Sequence, residues 1–370
     1  MFIYLLCFAV SVFFAWRAEK TTSKSLFIAC SILSIAPTVL LAGLRDISVG
    51  IDTANMYYNS WQVATRAKSF WYFIWLYSWG FRAEEFLFAF LLGAIQKTTG
   101  NFNVFLTVMH LIIIGCVYIG AFRLRRYCSP SLVLLLFYLF YYNHSLNILR
   151  QYVAMAILFA GTADIIERHY WRFLLIAFLA FMAHNTAVIG ILPLLFFILL
   201  YPNNRLRAVS LDKRLALCVL VILGAIFVQP LVQVLIRVGL LGNKYQSYLE
   251  TEGTDSYLVA RVLVFLELIG IVLFRYSWAD YKPYTGFFAF CTFVFGVLYQ
   301  IAPSIPYGKR IPAYFSLINL VSLGILCTCQ KKKSNRIIMR AVIVAAALSY
   351  WLLMYGYLNT SRTIPYVLGV

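Results

Sequence analysis

Apolar runs of membrane-spanning length recur from one end of this chain to the other, and they leave few folds open. They cover roughly residues 2–16, 25–44, 102–122, 130–142, 148–166, 171–183, 186–201, 214–236, 258–274, 284–302, 311–329 and 340–357. A hydrocarbon core about 30 Å thick takes about 20 apolar residues per helix. Lipid admits only helices or closed barrels, because each backbone polar group must pair internally, and the signal here is helical. The expectation is an all-α polytopic integral membrane protein, one transmembrane domain over residues 1–370 with about twelve crossings. Phe86 to Ile95 is apolar over about half that length and reads as a re-entrant or interfacial helix.

Composition agrees. The chain is 63% hydrophobic and only 12% charged, with a mean hydropathy of +0.83, whereas globular chains are about a quarter charged. A net charge of +18 would suggest nucleic acid in a soluble protein. In a membrane chain it reads as Lys and Arg holding loops on the cytoplasmic side. The start, "MFIYLLCFAVSVFFAW", lacks a basic leader and a small-residue cleavage site, so it is expected to stay as a first span. The eight cysteines form no C-x-x-C pair and read as small buried hydrophobes.

Orientation follows from counting basic residues. With the first loop cytoplasmic, the inner segments carry 19 of the 31 Lys and Arg, including Arg17, Arg123, Arg168, Arg214 and Lys331–Lys333, and the outer side 12. If Phe86–Ile95 crossed fully, Arg123, Arg125 and Arg126 would move outside. If Phe173–Leu200 were a single span, Lys331–Lys333 would do so. The half-helix and a two-helix hairpin keep both sets inside.

The unusual polar residues then fall on the outer side, from separate segments. Arg45 and Asp52 follow the second run, in "GLRDISVGIDTANMYY". Arg150 opens the fifth, in "NHSLNILRQY", and His184 lies at the hairpin tip. Arg261 is near the start of the ninth, and Lys309 and Arg310 precede the eleventh. Outer basic residues oppose the positive-inside tendency, and a bound anion supplies a reason for them. Asp52 is also placed to cap a helix running from Thr53, and Arg261 to anchor at the lipid surface. Asn143, Asn147, Arg150 and Gln151 share one helical face, as cavity-lining residues do. Glu267, in mid-span, is left without a role. The outer loops of about 45–101, rich in aromatics, and about 237–257 complete that side.

Several chemistries are set aside. There is no P-loop, no G-x-G-x-x-G, no Asp-x-Asp pair for a nucleotide sugar, and no metal-ligand spacing among the four histidines. No metal and no cofactor is expected. Arginines in their place suggest a donor already activated, carrying its own phosphate leaving group.

At these residues the chain resembles a known family. "GLRDISVGIDTANMYY" is similar to the Arg–x3–Val-Gly-x-Asp-Thr–x3–Tyr signature of EpsG-like membrane proteins, within the Wzy-type O-antigen and capsule polymerases. "ILRQYVAMAILFAG" resembles their Arg-Gln motif, "FLAFMAHNTAVIGILPLLFF" their single histidine between apolar runs, and "KRIPAYF" their late basic motif. "EEFLFAFLLGAIQKTTGNF" resembles the segment with Glu-Pro before an aromatic half-helix, placing Glu85 at the Glu and Phe86 where Pro stands. Ile51 also departs from the usual Thr.

The resemblance implies a GT-C-like helical bundle in the bacterial inner membrane, its active site facing the periplasm or exterior. It implies a glycosyltransferase that moves a glycan from an undecaprenyl-pyrophosphate carrier onto an acceptor repeat unit. Its partners would be the lipid-linked donor and acceptor, membrane lipids and a chain-length regulator protein, with no nucleic acid. Arg45, Arg150, Arg261 and Arg310 are the candidates for stabilising the leaving pyrophosphate, with Gln151 and Tyr57 as further substrate-binding positions. His184 is the favoured base, Asp52 an orienter and Glu85 a third candidate. An O-antigen ligase, a transporter of lipid-linked sugar and a membrane acyltransferase are the competing readings.

Overall fold

The computed structural model describes residues 1–76, 85–202, 208–237, 258–301 and 310–369. Arg205, Arg207, Lys309, the loop 238–257 and the end of the aromatic run at 77–79 lie outside the described residues. Among the described residues the regular structure is helical. Each of the twelve apolar runs coincides with helix, and six helices are long and apolar enough to cross a membrane. Two compact units are present: residues 1–188 with 340–370, and residues 189–339.

The first unit opens with α1 (Phe2–Lys20) and α2 (Lys24–Gly43), which pack together. A π-helical turn (Thr53–Tyr58) runs into α3 (Asn59–Arg66), then α4 (Phe70–Trp75) and the half-helix α5 (Phe86–Thr99). At 1.5 Å per residue α5 is about 21 Å long, short of a crossing. Gly100, in the left-handed conformation, ends it. Next come α6 (Phe102–Arg123) and α7 (Pro130–Phe137), which continues as a π-helical turn (Tyr138–Tyr142) into the one-turn α8 (Asn143–Ser145). After a break come α9 (Leu149–Ile166) and α10 (Tyr170–Ala183).

In a bundle with little water, polar side chains must find one another. Tyr138 Oη pairs with Ser11 Oγ at 2.7 Å, and Tyr142 Oη donates to Thr38 O at 2.6 Å. These bonds tie α1, α2 and the end of α7 together. Gly43 closes α2 hard against α6: a Cβ there would lie 2.0 Å from Thr107 Oγ1 and 2.9 Å from Thr107 Cα. Gly43 is thus a close-approach residue at a helix end rather than a turn residue. Gly43→Ala is expected to cost about 1–3 kcal/mol by overpacking, read as a lower thermal unfolding midpoint in detergent. An unchanged midpoint would show that α2 and α6 separate freely.

Charged side chains join the end of α1 to the start of α7, and the end of α6 to the end of α9. Glu19 Oε2 accepts from Ser129 Oγ at 2.7 Å. Arg123 grips Asp164 through both oxygens, at 2.5 and 2.9 Å, and reaches Glu167 at 3.3 Å. Asp164, Glu167 and His169 bring ligand atoms within 4.8 Å of one another, a grouping not visible in the spacing of the histidines.

In the second unit, α11 (Leu192–Leu200), α12 (Leu211–Arg237), α13 (Leu258–Leu273), α14 (Arg275–Ala279), α15 (Thr285–Ile301) and α16 (Arg310–Thr328) follow. Glu267 is buried here. Its Oε2 accepts from Asn319 Nδ2 at 2.7 Å, and Asn319 Oδ1 accepts from Thr292 Oγ1 at 2.8 Å. This chain of bonds fastens α13, α15 and α16. Finally α17 (Lys333–Trp351) ends in a π-helical turn (Leu352–Tyr357), and residues 358–369 return as an irregular segment of the first unit.

Candidate functional site

Glu85 stands immediately before α5, in an extended conformation with φ −65° and ψ 134°. Phe86 takes the first helical position, where Pro is favoured for its fixed φ and missing N–H. Glu85 already has the geometry that a following Pro enforces, so the helix starts at the same place without it. The Glu85 carboxylate does not cap its own helix. It reaches across to two other elements.

One oxygen, Oε2, accepts from Arg150 Nη1 at 2.7 Å; the other, Oε1, lies 2.7 Å from His184 Nδ1. The Asn185 backbone N–H also points at Oε1, at 3.4 Å. All three side chains are largely buried, with 15% of the Arg150 side chain, 6% of Glu85 and 11% of His184 exposed. A carboxylate only accepts, so Nδ1 must carry the imidazole proton. The far nitrogen, His184 Nε2, is buried and without a hydrogen-bond partner among the described residues. It is left as the acceptor.

Each partner is set by its own backbone. His184 ends α10 in an extended conformation, its N–H bonded to Ala180 O at 3.0 Å, and the chain turns into a 3-10 stretch (Asn185–Ile191). Arg150 is the second residue of α9. Its guanidinium carbon sits 5.3 Å from the centre of the Phe88 ring, one turn into α5, and Nη2 faces Met56 Sδ at 3.6 Å. Phe88 offers a π face, and neither neighbour was among the sequence candidates. The i+3 spacing from Glu85 to Phe88 is the signal that could have found the ring.

Tyr57 is buried, and its hydroxyl is fully used. It donates to Asn147 O at 2.5 Å and accepts from Leu149 N–H at 3.0 Å. Burial pushes its phenol up to about 12, the nearby Arg150 charge opposing the rise, so it remains a donor. Gln151 is buried beside Arg150. Asp52 is half-buried at the head of the π-helical turn. Its side chain makes no capping bond, while its backbone N–H points to Asn147 Oδ1 at 3.4 Å. The turn itself needs Gly50, which has φ +98°; a Cβ there would lie 2.7 Å from Asn147 Oδ1.

Arg45 is placed differently from its expected partners. It is 1% exposed, and its guanidinium donates to the carbonyls of Ala42 and, at 3.0 Å, Leu146. Its backbone bridges Leu368 in antiparallel fashion. Its bonds hold the backbone rather than Glu85, Arg150 or His184. Asn143, in α8, and Asn147, in the break before α9, were expected on a cavity-lining face; they hold Thr363 and Ser361. Arg261 and Arg310 belong to the second unit. Arg261 Nε donates to Gln300 Oε1 at 2.9 Å, and Arg310 begins α16 half-buried.

In comparison with known proteins, the model of the EpsG family matches residues 26–368, nearly the whole chain. No curated protein and no solved structure matches it.

Proposed function

Because the chain belongs to the EpsG family, a Wzy-type polymerase family, we propose that it lengthens a polysaccharide. It transfers a glycan from an undecaprenyl-pyrophosphate carrier to an acceptor repeat unit, on the outer face of the bacterial inner membrane. The observation that carries this reading is the Glu85 carboxylate, shared between Arg150 and His184.

The chemistry needs two things at once. The acceptor hydroxyl must lose a proton as its oxygen attacks the anomeric carbon, and the leaving pyrophosphate must be stabilised as the anomeric C–O bond breaks. His184 Nε2 takes the proton. Glu85 stabilises the imidazolium that results, as a carboxylate behind a histidine does in serine hydrolases. The bond electrons leave with the pyrophosphate, whose growing charge falls to Arg150. Guanidinium charge does this without a metal. Asp52 remains the candidate to orient the acceptor hydroxyl, with Gln151 close to the same helix start.

His184→Ala tests the reading. Membranes carrying this variant should incorporate a lipid-linked repeat unit into polymer at about one-hundredth of the normal rate or less, with the protein present at normal abundance. Polymer of normal length and rate would remove His184 as the base. Accumulation of complete polymer on its carrier in a deletion strain would point to ligation instead.

A further inference from the structure

We propose that the segment 358–369 is a positioning element of the active site, setting where the Arg150 guanidinium lies. This inference rests on the reading of Arg150 given above. Its origin is an oddity at the start of α9. The residue before this helix, Ile148, has no capping side chain, so the first N–H groups need partners from elsewhere. Leu149 N–H finds one in Tyr57 Oη, which also holds Asn147 O. The first turn of α9, with Arg150 in it, therefore hangs on groups outside its own helix.

The segment 358–369 fastens α8, before that break, and Asn147, within it. Ser361 O accepts from Asn147 Nδ2 at 2.9 Å, and Thr363 Oγ1 accepts from Asn143 Nδ2 at 2.8 Å. Thr363 O takes the Tyr4 hydroxyl at 2.8 Å. Arg362 O, Val367 O and Leu44 O receive the N–H groups of Gly50, Asp46 and Gly369, at 2.9, 2.9 and 2.8 Å. The segment is stiffened from within as well: Asn359 Oδ1 accepts from the N–H groups of Thr363 and Ile364, at 3.1 and 3.2 Å. Ser361 and Thr363 are buried. The strap thus holds the asparagines, Asn147 and Tyr57 hold the helix start, and the helix start aims Arg150 at Glu85.

Three full-length variants test this in polymerisation of a lipid-linked repeat unit. Thr363→Val removes the acceptor for Asn143, Thr363→Ser restores it, and Tyr57→Phe removes the cap while keeping the ring. Thr363→Val and Tyr57→Phe should each lower kcat about tenfold, with KM within twofold of the parent, and Thr363→Ser should recover most of the rate. In an Arg150→Lys background, assayed by radiolabel transfer, the same changes should cost less than a further twofold, because they act through Arg150. An equal loss in both backgrounds, or no loss in either, overturns the proposal. If Thr363→Val does not accumulate in the membrane, Asn147→Ser, which removes the side-chain bond to Ser361 O, carries the test in its place under the same criteria. Arg150→Lys polymerising at the parental rate would instead defeat the reading of Arg150, and that single variant tells the two failures apart.

Discussion

Glu85→Gln is expected to cut polymer formation by about a thousandfold, the largest effect of any single change in this protein. The substitution is nearly isosteric and removes one charge. Two consequences follow from the bonds that Glu85 makes. An amide offers His184 no charge to stabilise an imidazolium, and by presenting its NH2 group it favours the tautomer with the proton on Nε2, where the acceptor hydroxyl needs a lone pair. Arg150 meanwhile loses its counter-charge in a largely buried place. Breaking such a pair costs about 3–5 kcal/mol when it is fully buried, so a lower unfolding midpoint should accompany the loss of activity. The measurement is the rate of repeat-unit incorporation per molecule of membrane-inserted protein. A rate within tenfold of the parent would mean that neither partner depends on Glu85.

Arg150→Lys comes next, at about a hundredfold. Lysine keeps the charge but not the planar fork. Arg150 holds Glu85 with one nitrogen and faces Met56 with the other, while its guanidinium carbon lies over the Phe88 ring. An ammonium can satisfy Glu85 or a phosphate oxygen, but it cannot do both along fixed directions. Cells carrying the variant should show surface glycan with a single repeat and no ladder on a gel, and the protein should insert normally. An intact ladder would take Arg150 out of the site.

What the sequence made plain was whatever depends on local pattern. The apolar runs became helices because lipid-length apolar stretches have no other way to pair their backbones. The half-helix at Phe86 and the end of α10 at His184 followed from length and charge alone. Glu85 was ranked behind His184 and Asp52, since its importance lies in contacts 65 and 99 residues away, which no spacing reveals. Asn143 and Asn147 have the right helical spacing, but the helix breaks between them, and their amides serve the chain's far segment rather than a cavity. Arg45 was read from its position at a span end. Its burial goes with the docking of residues 366–369 against it, and an irregular segment carries no local sign of where it will dock.

The strap also orders events in time. Chains fold from the N-terminal side as they are made, and residues 358–369 follow every helix of the site. Glu85, Arg150 and His184 can therefore be in the membrane while the groups that hold the break before α9 are still inside the ribosome. A nascent chain stalled or cleaved before Ser361 would have all the reacting groups and none of the bonds from Asn143 and Asn147 to the strap. Such a chain should meet its lipid-linked substrate without extending it, so that sugar transfer starts only after synthesis has passed the strap.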